Sequence, residues 1–457
     1  MNEINIFNRT RMSMAILLAL SPVALQMAHA GAGFGDNTSS VGTPIKVPTF
    51  YANSPSGLRP ADDCFDTTGA AAVPTLKGLC DTGTPLQKFV DTLPGLGSSA
   101  ANDLGQYIPI AVPDTTSYPG SDYYEIAVVD YTEKMHKDLV KATHLRGYVQ
   151  LSTAIVPGKK VSLAVKLPDG TTEALAVDNP HYLGPLIMAT KGRAVRIKYY
   201  NLLPTGAAGK LFLPVDATYT EAGILPGNVS KLTENRAAIH WHGGDTPWIS
   251  DGTPHQWIAP ATEVIPGTTI PMGKGVSAEP VPDMPAPGAG AQTLYFPNNM
   301  SGRFMFYHDH TAGLTRLNVY AGIAAGYLLT DPTETSMVNG TIATPLLDST
   351  GASQKDAAGK VISFAAGTLP ADQIPLVIQD KTFVPKDIAQ QDSYWNQDIT
   401  GNKNLTVWGS EADLWFPHVY ETNQDPSSLD ATNPVGRWDW GPWFWPVFPL
   451  RTRYLLV

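Results

Sequence analysis

The chain has 457 residues, more than one ordinary domain needs, so two or three domains are expected. Its 41 acidic against 31 basic residues give a formal net charge of -10, which argues against a nucleic-acid-binding surface. Only 16% of residues are charged, while Gly (41) and Pro (39) are abundant, a balance that favours a turn-rich, all-β protein over a helical one.

The N-terminus reads as an export signal. Arg9 and Arg11 precede the apolar run "MSMAILLALSPVALQMA", and Ala28-His29-Ala30 forms a small-residue cleavage site, so residues 1–30 are expected to leave the mature protein. An uncleaved anchor is the alternative, but Ser21 and Pro22 interrupt a run already short for a membrane span. Thr10 separates the two arginines, which favours the general secretory route and a periplasmic or extracellular destination. The two cysteines, Cys64 and Cys80, are then expected to close a disulfide in an oxidising compartment; metal ligation is the weaker reading, because no histidine lies near either.

Residues 31–143 are rich in Pro, Gly, Ser and Thr and read as a loop-rich extension with one short helix, "TPLQKFVDTLPG". Thr84 serves as N-cap, Pro85 takes the first helical position, and Leu86, Phe89, Val90 and Leu93 recur at helical spacing. From residue 144 to 335 short strands break repeatedly at Pro and Gly, the spacing of a β-sandwich. In "RAVRIKYYNLLPTG", Val195, Ile197 and Tyr199 share one face and Arg196 and Lys198 the other, the period of a half-buried strand. Residues 336–373 read as a linker or long loop, and "IPLVIQDKTF" opens a partial second domain over 374–457. That segment ends in the aromatic run "GRWDWGPWFWP", which needs a cover.

Two histidine pairs carry the chemistry: His240 and His242 in "HWHGGDTPW", and His308 and His310 in "RFMFYHDHTAGLTRLN". On a strand, residues i and i+2 project from one face, so each pair aims two imidazoles at one point. Trp241 and Asp309 then face the other way. Ten histidines in 457 residues would give roughly 0.2 such patterns by chance, so two of them outweigh the reading as ordinary surface pairs. Neutral imidazole suits copper and zinc. Gly243 and Gly244 are expected to leave room beside the second ligand for another element.

In order, "HWHGG", "WISDGTPHQW", "FYHDHTAGLTRLNVYAG" and "GYLLTDP" resemble the first domain of the multicopper oxidases, in particular the bacterial laccase-like and bilirubin-oxidase-like enzymes. The likeness runs more loosely from "GTPLQKFVDTLPGLG" to "GRWDWGPWFWP". It implies cupredoxin-like Greek-key sandwiches, and electrons passing one at a time from a reducing substrate through a type 1 copper to a trinuclear cluster that reduces O2 to water. It places His240 on the type 2 copper and His242, His308 and His310 on the paired type 3 coppers. Asp251 matches an acidic residue that helps deliver protons in that family, with a plain turn residue before Gly252 as the equal alternative.

The resemblance is incomplete. The family's two C-terminal motifs, one an H-C-H run whose cysteine carries type 1 copper, have no counterpart, since neither Cys64 nor Cys80 is flanked by histidine. His136, His144, His181, His255 and His418 are scattered and form no second set. The chain therefore reads as the N-terminal part of a multicopper oxidase holding half of the trinuclear ligands, completed by a missing C-terminal segment or a second chain. A copper-binding cupredoxin-like protein without oxidase activity is the alternative, and a relative that has lost its metals is a third reading.

Overall fold

The structure is a computed structural model that describes residues 65–66, 75–76, 86, 90–213, 215, 221, 231–340, 345, 347–362, 367–372, 374–379, 381–384 and 408–415. The export signal, the Cys64–Cys80 pairing and the aromatic C-terminal run lie outside the described residues, as do five of the twelve residues of the expected helix at 84–95. Its described part, Leu86 and 90–95, is not helical, and Leu93 is 75% exposed.

The chain divides into two units. In the first, comprising Met1–Pro85, Asp380–Trp395 and Trp415–Leu455, a short ladder joins β1 (Phe65–Asp66) to β2 (Thr75–Leu76), antiparallel with Phe65 opposite Leu76. The second comprises Leu86–Gln379, Asn396–Leu414 and Leu456–Val457 and holds everything described below.

Two four-stranded sheets make its body. Their strands are β3 (Ser121–Glu133), β4 (Thr143–Gln150), β7 (Ile187–Thr190), β8 (Ala194–Asn201), β9 (His240–His242), β10 (Ala291–Phe296), β11 (Arg303–His308) and β12 (Ala324–Thr330). The first sheet runs β10-β8-β3-β4 and the second β7-β12-β11-β9. Neighbours distant in sequence mean crossing connections; β3 lies parallel to β8, and β12 to β7. One apolar core joins the inner faces: Ile126 and Val128 of β3, Ile197 and Tyr199 of β8, Trp241 of β9, Phe296 of β10, Tyr307 of β11 and Tyr327 of β12. This is the all-β sandwich expected for a cupredoxin-like chain.

The sandwich starts upstream of residue 144, inside the stretch read from sequence as loop-rich. Strand β3 lies between β8 and β4, and its apolar run Ile126–Val129 is fully covered. A hairpin of β5 (Val161–Lys166) and β6 (Glu173–Ala176) accounts for this. It roofs the outer face of the first sheet over a second core with Ala127, Val129, Val149 and Tyr200. A strand buried on both faces shows no polar alternation, so its sequence lacks the period-two signature. By contrast β8 alternates as read: Val195, Ile197 and Tyr199 are fully buried, while Arg196 and Lys198 are half-buried.

Two short helices precede and follow β12 in the chain. Helix α1 (Thr315–Ala321) turns the chain from the second histidine pair back into β12. Helix α2 (Pro332–Asn339) enters the stretch expected to be a linker. Its local signals are complete: Asp331 caps the Glu334 N–H, Pro332 stands at the start, and Gly340 closes it in the left-handed conformation. Residues 374–379, expected to begin a strand, have no strand pairing, and Ile374, Leu376, Val377 and Ile378 are exposed. An extended apolar run becomes a strand only where another edge accepts its hydrogen bonds.

Candidate metal centre

Strand β9 is only three residues long and pairs antiparallel with β11, with His308 opposite His240, Tyr307 opposite Trp241 and Phe306 opposite His242. Alternation sends Trp241 and Tyr307 into the core, both with no exposed surface, and the histidines to the other side. The ring centroids of His240 lie 5.7 Å from His242, 5.4 Å from His308 and 4.7 Å from His310. Available ring nitrogens of His240, His242 and His308 all lie within 4.8 Å of one another. His310 borders this group, 5.8 Å from His308 ring to ring.

Backbone carbonyls orient two of the rings. His240 Nδ1–H donates to Asp251 O at 2.5 Å, and His308 Nδ1–H donates to Asp309 O at 2.6 Å. A carbonyl can only accept, so each Nδ1 carries the proton and each Nε2 keeps its lone pair. His242 Nδ1 stands 3.0 Å from His308 Nε2. Phe306 stacks against both of these rings, at 4.6 Å and 5.0 Å between centroids. The Nδ1 of His310 is buried without a hydrogen-bond partner among the described residues.

Burial pushes the His308 imidazolium pKa down to about 4, and the neighbouring His240, His242 and His310 lower it further against the opposing bond to Asp309. His310 is shifted down in the same way, by burial and then by His240. Both imidazoles are therefore neutral at pH 7, the form that ligates metals. Clustered lone pairs on rings whose other nitrogen is bonded to backbone fit a transition-metal ion; an all-nitrogen set is unsuited to calcium or magnesium. Copper fits this donor set.

Asp251 ends a short 3-10 turn, Trp248–Ser250, and so presents its carbonyl to His240. Its carboxylate accepts the Thr246 hydroxyl at 2.8 Å and lies 3.6 Å from His240 Nδ1. With 35% of its side chain exposed, it reaches both solvent and the His240 ring. The structure thus brings Asp251 beside His240.

The structure gives each of the two glycines a task of its own. A Cβ on Gly244 would meet the Trp241 ring at 2.2 Å, so this residue makes room for the buried indole. Gly243 supplies a left-handed turn, φ 79°, with open space around it.

Sequence reasoning missed Asp309. Its fully buried carboxylate accepts from Ala238 N at 2.8 Å, Thr311 Oγ1 at 2.8 Å, Thr311 N at 3.1 Å and Asn318 Nδ2 at 3.0 Å. A signal was present: alternation forces a residue between two outward ligands toward the core, where a carboxylate needs donors.

A laccase of Bacillus stratosphericus is 29% identical over 300 residues, which span 65% of this chain and 38% of the laccase. A multicopper oxidase of Oryza sativa subsp. japonica, a homolog of LPR1, is 29% identical over 163 residues, 36% of this chain and 22% of its own. The chain is similar to multicopper oxidases over part of their length. A bilirubin oxidase of Albifimbria verrucaria is 42% identical over 55 residues, 12% of this chain and 9% of the oxidase. No protein-family profile matches the chain. The chain spans less than half the length of these curated relatives.

Proposed function

We propose that this chain is the N-terminal part of an exported multicopper oxidase, and that its four histidines supply half of the trinuclear copper ligands. The reaction would couple one-electron oxidation of a reducing substrate (phenolic, pigment or metal ion) to four-electron reduction of O2 to water. The observation that carries the reading is the convergence of His240, His242 and His308, with ligand atoms within 4.8 Å, and His310 beside them. His240 is assigned to the type 2 copper, and His242, His308 and His310 to the type 3 pair. Copper held there supplies one-electron chemistry toward O2. The chain's own residues do the rest: backbone carbonyls hold two rings with Nε2 unprotonated, Phe306 buttresses His242 and His308, and Asp251 passes protons from solvent toward the site.

A second reading has its own support. The sequence contains only Cys64 and Cys80, neither flanked by histidine, so the ligands of an electron-entry copper must come from a further segment or a second chain. Without them the chain is a copper-binding cupredoxin-like protein. Copper per chain, and oxygen uptake with a phenolic reductant once the segment or chain carrying the missing ligands is supplied, separate the two. Retained copper with oxygen uptake, lost in His242→Ala and His308→Ala, supports the oxidase; retained copper without uptake supports the binder. A chain that takes up no copper overturns both.

A further inference from the structure

We infer that Asp309, a residue that points away from the ligand cluster, is a positioning residue that sets the relative placement of the two histidine pairs. The inference rests on reading the histidines as metal ligands. The two pairs lie on segments more than sixty residues apart in sequence, and the β9–β11 ladder ends at His308, opposite His240. Beyond that point the second pair leaves its strand, and His310 is no longer held by the ladder. The Asp309 carboxylate takes over at this position. One oxygen accepts the Ala238 N–H, two residues before His240, and the Thr311 hydroxyl just past His310. The other accepts the Thr311 N–H and the Asn318 amide of α1. That amide also donates to Arg236 O at 3.2 Å, again on the segment that leads into β9.

One buried carboxylate therefore joins the segment before the first pair, the turn after the second pair and the helix beneath them. His310 depends on it most. Its Nδ1 has no hydrogen-bond partner among the described residues, so the ring's direction follows from the backbone of 309–311. Asparagine at this position would keep the shape but turn an N–H toward donors, opening at least one of the four bonds.

The test uses the full chain with 15N-labelled histidine, metal-free, and then with Cu(II) alone as probe. In Asp309→Asn, long-range 15N–1H ring spectra should show the tautomer and ring order of both pairs disturbed, His310 most. Cu(II) should bind about 10- to 100-fold more weakly, with altered EPR parameters. Thr311→Val, which removes a single bond, gives the same shifts in smaller measure and remains readable should Asp309→Asn fail to fold. Leu294→Ala, a fully buried core change on β10, should lower stability yet leave ring spectra and EPR parameters as in wild type. Ring spectra and affinity unchanged in Asp309→Asn, or moved equally by Leu294→Ala, overturn the inference. If wild type takes up no Cu(II), the metal reading falls while the ring spectra still decide the positioning.

Discussion

Gly252 offers a sharp test of how the first histidine pair is held. Its φ of 68° is left-handed, and a Cβ built there would lie 1.8 Å from Ile239 O, 2.5 Å from Ile239 C and 2.9 Å from His240 Cα. All three are backbone atoms of the segment entering β9, so no side chain can swing away. In Gly252→Ala the turn must retreat by about 1.2 Å before the first contact reaches even 3.0 Å. That motion carries Asp251 O off His240 Nδ1, now 2.5 Å away. The left-handed conformation costs about 1–2 kcal/mol for a residue with a Cβ. The lost hydrogen bond adds about 1 kcal/mol. A destabilisation of about 2–3 kcal/mol in urea unfolding is expected, with weaker Cu(II) binding by calorimetry. Gly243→Ala is the matched control, because φ is 79° but nothing lies within 4 Å, so only the conformational cost should appear and only about 1–2 kcal/mol should be lost. Equal losses in the two variants, or wild-type copper affinity in Gly252→Ala, would refute the claim that backbone crowding at this turn fixes His240.

Two further outcomes are expected. Trp241→Ala empties the largest of the fully buried side chains between the two sheets and should cost about 3–5 kcal/mol by urea unfolding, against little change if the indole were peripheral. The pH dependence of the metal-free chain should follow His308: the unfolded imidazole takes a proton near pH 6.5 but the folded one only near 4, so stability present above 6.5 is lost as pH falls through that window. The loss amounts to about 3 kcal/mol and should be missing from His308→Gln, whose urea midpoints would otherwise show the same slope.

How much of this was legible depended on whether the deciding physics was local. The two histidine pairs were, because i and i+2 on a strand fix the shared face without knowledge of any neighbour. So was β8, whose one wet face leaves Arg196 and Lys198 between buried residues. Strand β3 was not, because both its faces are covered and nothing in "EIAVVDY" alternates. The converse error came at 374–378, where an apolar run resembles a strand but composition carries no information about a partner edge. Helix α2 carries a capping signature in Asp331, Pro332 and Glu334 that the linker reading left unused. The Asp309 bonds could be anticipated only as a need for donors, since Ala238 and Asn318 arrive from elsewhere in the chain.

The three-residue strand β9 stands at the rim of its sheet, with Trp241 sealed inside and the imidazoles on the outer side of the same backbone. What closes the sandwich is thus the set of residues between the ligands. Folding can finish before any ion arrives, unlike small domains in which the metal supplies the folding energy. If the histidines hold copper as proposed, loading follows folding, at the edge of the sheet.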